Sequence, residues 1–214
     1  KQIILPFLSV NGVSQLNQLI LTHLDQDHRG GYESIKHDFP IKKVYSNEQV
    51  DVEHLSQFDY CRQGQQWHWS DRVNITVLSP KHQHLAKAKF EKNEMSCVVY
   101  LQVKNVQPYQ NFLLMGDAGW ETEYHILQAY PDLKVDVLVL GHHGSRHSSA
   151  YQFLKQLNPK LAVASAGFNN RYGHPSVVVE SRLKELNIPL LTTIEHGSIR
   201  FFKQKNIMSI AFER

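Results

Sequence analysis

The sequence is poor in cysteine, in charge of one sign and in long apolar runs. Two cysteines in 214 residues, Cys61 and Cys97, make no disulfide framework and no metal knuckle, and they fit either redox compartment. Lys and Arg number 23 against 20 Asp and Glu, so the net charge of +3 argues for neither nucleic acid nor membrane. No apolar run approaches the ~20 residues needed to cross a bilayer, and no signal peptide opens the chain. Repeats and low-complexity linkers are missing too, which leaves one domain over residues 1–214 with room for a buried core. Histidine, by contrast, is plentiful at 13 residues. Four of these, His37, His54, His82 and His84, stand in polar surroundings and read as surface residues.

One stretch concentrates chemistry. Leu19 to Gly31 reads Leu-Ile-Leu-Thr-His-Leu-Asp-Gln-Asp-His-Arg-Gly-Gly, an apolar strand that stops at His23, with Asp25, Asp27 and His28 close behind. Two imidazoles and two carboxylates crowd together cheaply only around a cation. A divalent metal neutralises the carboxylates and accepts a lone pair from each neutral ring. A charged, solvated loop is the competing reading of this stretch alone.

Along the chain, Gln2 to Asn11 predicts a helix with Ile4, Leu5 and Leu8 on its buried face, followed by a short strand over Leu19–Thr22. A helix is expected from about Tyr32 and a strand over Lys42–Tyr45; Glu48 to Gln66 reads as helical or irregular. Strands follow at Gln66–Trp69, Val73–Leu78, Cys97–Val103 and Asn111–Met115, with an exposed loop or helix over residues 81–92. Gly116-Asp117 repeats the opening device of an apolar strand with a carboxylate at its mouth. Thereafter Trp120–Tyr130, Ser149–Leu157 and Ser176–Leu186 read as helices. Val135–Leu140, Leu161–Ser165, Ser198–Lys203 and Ile207–Phe212 read as strands. So many consecutive strands exceed a doubly wound sheet. An α/β (α+β) layout with two sheets face to face and helices outside, an αββα sandwich, accommodates them. It would gather His23, Asp117 and His142, each at a strand end, along one edge.

These residues carry a resemblance. His23-Leu-Asp25-Gln-Asp27-His28, with Asp117 and His142 later, resembles the metal signature of the metallo-β-lactamase superfamily. Within it the chain is most similar to the metallo-β-lactamase-like domain of the ComEC family, the DNA-uptake channel proteins of natural competence. The further matching runs are Leu5-Pro6-Phe7, Asn93-Glu94-Met95-Ser96, Gly141-His142-His143-Gly144-Ser145 and Tyr172-Gly173-His174-Pro175-Ser176. The family's Asp-Val-Gly-Gln-Gly-type opening strand is not among these residues. The expectation is therefore a domain excised from a larger membrane protein, lacking its N-terminal strand.

The resemblance implies a metal-dependent DNA nuclease, a phosphodiesterase degrading the non-imported strand through water activated between two metals. The implied metal residues are His23, Asp25, Asp27, His28, Asp117 and His142, with Asp117 bridging. Asp25 stands where most of the superfamily has a second imidazole, and no histidine of the third motif precedes Asp117. The oxygen-rich inventory points to manganese, two ions, with zinc or magnesium as alternatives. Asp27, His143 and His174 are the implied catalytic groups, although His142 and His143 could exchange roles. Substrate contacts are expected from Asn93, Ser96, Ser145, Ser148 and Arg146, with Arg29 and Arg171 beside motif residues. Trp67, Trp69 and Trp120 offer rings either to the core or to bases. The implied partners are single-stranded DNA, the channel domains of the same parent and other competence proteins, with the domain outside the inner membrane, periplasmic in a Gram-negative cell. Two rivals stand beside this reading: a non-catalytic DNA-guiding domain with a degenerate site, and a hydrolase of small substrates such as β-lactams.

Overall fold

Residues 3–52, 56–81 and 92–213 are described by the computed structural model. The chain opens with α1 (Ile4–Val10), β1 (Leu19–Leu21), α2 (Gln26–Arg29), α3 (Tyr32–Asp38), β2 (Lys43–Ser46) and β3 (Gln57–Tyr60). The three strands pair in parallel as β1-β2-β3, with Ile20 opposite Tyr45 and Val44 opposite Phe58. Next come β4 (Gln66–Ser70), β5 (Val73–Ser79), β6 (Val98–Val103), β7 (Asn111–Leu114), α4 (Trp120–Ala129), β8 (Val137–Val139), α5 (Tyr151–Leu157), β9 (Leu161–Ala164), α6 (Val177–Glu185) and β10 (Leu190–Thr192). These strands form a seven-stranded sheet in the order β10-β9-β8-β7-β6-β5-β4, antiparallel from β4 to β7 and parallel beyond. A short helix α7 (Thr193–His196) and the hairpin β11 (Ser198–Gln204) and β12 (Ile207–Glu213) complete the described fold.

Strand alternation builds the layers. Leu113, Leu138, Ala162 and Ala164 point to one face, where they pack with Ile126 of α4, Phe153 and Leu154 of α5, and Val179 and Leu183 of α6. Their neighbours Phe112, Val137, Leu161 and Val163 point the other way, onto Ile199, Phe201, Met208 and Ile210 of the hairpin. The small sheet repeats the device. Leu21 and Val44 face Tyr32 and Ile35 of α3, while Ile20 and Tyr45 face Val77, Cys61 and Cys97 between the sheets. Helix, sheet, sheet, helix is the αββα order the strand count predicts.

Several expectations need correction. Part of the stretch read as helical or irregular is strand β3, held by its parallel pairing with β2 rather than by any local alternation. Of the α1 face, Ile4 stays half exposed and no residue of the helix is buried, although Leu5 does pack on the small-sheet core. The turn of helix α2, strand β10 and helix α7 were not legible, each being three or four residues long. Cys61 and Cys97, read as forming no framework, are bonded to one another with Cα atoms 5.7 Å apart, and both are fully buried. The loop expected over residues 81–92 lies mostly outside the described residues, as do His54, His82 and His84; His37 is exposed as expected.

Helix α4 carries a buried acid, Glu123, whose carboxylate accepts the backbone N–H groups of Ser149 and Ala150 just before α5. Burial pushes it up to about 7 from an ordinary 4.5, against the pull of those two donors. The folded chain thus holds a proton that the unfolded chain releases between about 4.5 and 7, so this residue lowers stability as pH rises through that window. Urea unfolding at a series of pH values is expected to show that decline, and Glu123→Gln is expected to flatten it. The variant also costs about 1–2 kcal/mol at low pH, because its amide turns an N–H toward a backbone donor.

Candidate metal centre

Three chain segments meet where strands of the two sheets end. Thr22 O accepts from Cys97 N at 2.8 Å, Ser96 Oγ accepts from Asp117 N at 3.1 Å, and Gly116 O accepts from His142 N at 2.9 Å. The three loops bearing His23, Asp117 and His142 are therefore laced to one another by backbone groups and the Ser96 hydroxyl. Gly116 is required there: its φ is +57°, and a Cβ would stand 3.0 Å from the Cβ atoms of both Ser96 and Thr22.

Asp117, only 4% exposed, is the hub of the cluster. Its Oδ2 lies 3.6 Å from His23 Nε2 and 3.7 Å from His142 Nε2; its Oδ1 lies 3.0 Å from His28 Nε2 and 3.7 Å from His143 Nε2. Asp25 approaches the first group at 3.8 Å from His23 Nε2. Asp27 approaches the second, 3.1 Å from His143 Nε2 and 3.8 Å from His28 Nε2. One carboxylate thus separates two donor sets, each with two imidazoles and one further carboxylate. Donor atoms of Asp27, His28, Asp117 and His143 all lie within 4.8 Å of one another.

The backbone is forced to deliver this arrangement. His142 and His143 adopt φ values of 47° and 57°, two successive left-handed residues that are not glycine, each costing about 1–2 kcal/mol. The preceding Gly141 has no room for a side chain, since a Cβ would lie 2.2 Å from Ala118 O. Thr22, which the sequence reading did not single out, sets its hydroxyl 3.2 Å from His23 Nδ1 and 3.1 Å from His28 Nδ1. Where that oxygen accepts from a ring, the Nε2 lone pair of that ring is left facing Asp117. Likewise His143 Nδ1 lies 2.7 Å from the Ser165 carbonyl, which can only accept, so the Nε2 of that neutral ring carries no hydrogen. Only its place at the end of an apolar strand, one residue before His23, marks Thr22 in the sequence.

Lone pairs and carboxylate oxygens aimed at one another repel unless a cation lies among them. The buried His23 Nε2 and Asp117 Oδ1 have no aligned hydrogen-bond partner. The donor set therefore fits divalent metal by its own chemistry. Burial, reinforced by the positive charge of His28, lowers the His23 pKa. Burial also pulls His28 down, but its pairing with Asp117 and the charges of Asp27 and Asp25 outweigh that and leave it raised. For Asp117, burial acts upward, and His28, His143 and His23 together hold it below the usual carboxylate range.

The expected site residues divide by position. His23, Asp25, Asp27, His28, Asp117, His142 and His143 are brought together. His174 stands beside them, its ring 5.7 Å from that of His142 and 6.4 Å from that of His143. Asn93 sets its side-chain amide 3.4 Å from His142 Nδ1. Ser96, Ser145 and Ser148, expected to touch substrate, are buried and used internally. Ser148 Oγ donates to Gly141 O at 2.6 Å and Ser145 Oγ accepts from His147 N at 3.4 Å, while the helix expected from Ser149 starts at Tyr151. These serines hold the histidine loop rather than a ligand. Arg146 is exposed and donates to His147 Nε2. Removing the Ser96 hydroxyl strands the buried Asp117 N–H. Ser96→Ala is expected to cost about 1–3 kcal/mol in denaturant unfolding and to weaken metal affinity about tenfold in a competition titration.

No protein-family profile matches the chain. Its curated relatives include ComE operon protein 3 of Bacillus subtilis, 33% identical over 213 residues, covering 94% of this chain and 26% of that protein. Competence protein ComA of Neisseria gonorrhoeae is 33% identical over 199 residues, covering 92% and 27%. Recombination protein 2 of Haemophilus influenzae is 32% identical over 205 residues, covering 94% and 24%. The chain thus spans about a quarter of the length of these relatives. Among solved structures, a metallo hydrolase of Ignicoccus hospitalis superposes with a TM-score of 0.51 at 14% identity, covering 92% of this chain and 80% of that one. A protein of Parabacteroides distasonis assigned as a metal-dependent hydrolase gives 0.51 at 13%, covering 83% and 76%; at such identities the likeness is one of fold. The sequence relatives assign the chain to the ComEC family, and its fold is one it shares with these two hydrolases.

Proposed function

We propose that the domain is a metal-dependent phosphodiesterase that degrades DNA, with single strands as its substrate. The observation that carries the reading is the division of the Asp117 carboxylate between two donor sets, one oxygen to each. His23, Asp25 and His142 with Asp117 Oδ2 would hold one ion, and Asp27, His28 and His143 with Asp117 Oδ1 the second. Two imidazoles and two carboxylates at each position are harder than an all-imidazole pocket, which favours manganese over zinc. Divalent ions there would supply an activated water and withdraw charge from the phosphoryl group.

The protein's own groups set the geometry. Ser165 O fixes the His143 ring, Asn93 steadies His142, and Thr22 orients His23 and His28. Asp27 is exposed beside His143, where its free oxygen can accept a proton from an incoming water. His174, facing both His142 and His143, offers an imidazole N–H to the departing 3′ oxygen.

One relative is named a competence protein and another a recombination protein, and this chain would serve DNA uptake as the extracytoplasmic domain of a membrane parent. The buried Cys61–Cys97 bond supports that location, since such bonds persist in oxidising compartments. In the test, labelled single-stranded DNA and a β-lactam are each incubated with the metal-loaded protein. Shortened DNA beside intact β-lactam is expected, and the reverse would reassign the substrate. Asp27→Ala is expected to slow DNA digestion on the order of 10²–10³-fold, from several kcal/mol of lost transition-state stabilisation. Digestion by the variant at the wild-type rate would remove Asp27 from the mechanism.

A further inference from the structure

We propose that Phe168 and Tyr172 form a stacking platform for unpaired nucleobases, which feeds a single strand into the metal centre. The inference rests on the phosphodiesterase reading and adds to it how the substrate is gripped. Both rings lie on the loop between β9 and α6 and line a cleft of about 870 Å³ that also reaches Asp27, His143 and His174. That volume falls in the range of about 300–1,000 Å³ that encloses a small organic ligand. Phe168 is 79% exposed and Tyr172 66% exposed, so both rings are open to a ligand in the cleft.

Tyr172 continues a ladder that starts at the centre, and Phe168 stands on the wall of the same cleft. His143 and His174 lie nearly parallel, 6.4 Å apart at 27°, and His174 and Tyr172 follow at 5.8 Å and 19°. The Arg171 guanidinium covers Tyr172 at 4.8 Å from its centroid, which places a phosphate-binding cation beside the outermost ring. The loop is held rather than loose. Asn170 binds both the N–H and the carbonyl of His174, at 2.8 and 2.7 Å, and Thr193 Oγ1 bonds both the N–H and the carbonyl of Ala166. A platform fixed before binding loses little entropy when a base settles on it. Every base has a π face, so such a site accepts any sequence but rejects duplex, whose bases already stack on one another.

The test is equilibrium binding by fluorescence anisotropy, with chelator present so that nothing is cut. The probes are a labelled thymidine oligonucleotide and an abasic phosphodiester chain of equal length. The wild-type protein is expected to prefer the oligonucleotide about tenfold. Phe168→Ala with Tyr172→Ala is expected to bring the ratio close to one, while Phe168→Tyr with Tyr172→Phe, which keeps both rings, retains it. Thermal melting of each variant separates lost rings from lost fold. An unchanged ratio in the folded double alanine variant would overturn the platform. The readout needs no cleavage, so a protein that prefers bases but digests no DNA would count against the phosphodiesterase reading alone.

Discussion

Replacing Asp117 by asparagine is expected to lower metal-dependent hydrolysis on the order of 10³-fold or more and to release bound divalent metal. The substitution is nearly isosteric, so the effect is electrostatic. Asp117 contributes the one carboxylate that touches all four imidazoles, and its oxygens lie between 3.0 and 3.7 Å from their Nε2 atoms. An amide in its place offers one neutral oxygen and turns an N–H toward imidazole nitrogens that would otherwise hold divalent cations. Both donor sets would weaken together, whereas Asp25→Asn or Asp27→Asn would weaken one each. Elemental analysis of dialysed protein checks the metal content. Retention of the wild-type metal content by Asp117→Asn would contradict the bridging role.

The second large effect is structural. Cys61→Ala with Cys97→Ala is expected to cost about 3–4 kcal/mol of stability, because the cross-link closes a loop across a sequence separation of 36 in the unfolded chain. Its position ties that stability to the metal centre. Cys61 N donates to Ser46 O at the end of β2, and Cys97 N donates to Thr22 O, one residue before His23. Cys97 also follows Ser96, which holds the Asp117 backbone. Urea unfolding of the oxidised protein, the reduced protein and the double variant is the check. The two latter are expected to share a lowered midpoint, and coincidence of all three curves would show that the bond carries no stability.

What was legible in the sequence was what apolar strand ends advertise. Val137, Leu161 and their neighbours alternate between two faces, so their strands were readable to within one or two residues, and with them the αββα layering. His23 and Asp117 stand where such strands stop, and that punctuation needs no tertiary information. Pairing across long separations was not readable. β3 exists because β2 supplies a parallel edge, and Cys61 meets Cys97 only once the two sheets are stacked. The roles of Ser96, Ser145 and Ser148 were misread for the same reason: a serine beside a motif looks available to a ligand until burial shows its hydroxyl already used. The closeness of His143 to Asp27 depends on two left-handed residues in succession, a backbone state that no propensity scale favours for histidine.

A manganese soak of crystals of the protein, with anomalous scattering measured at the manganese edge, tests the two-set centre most directly. The account predicts two anomalous peaks flanking Asp117, one beside each carboxylate oxygen, with His23 and His142 around the first and His28 and His143 around the second. A single peak bound by Asp117 through one oxygen, or peaks lying away from that carboxylate, would contradict it.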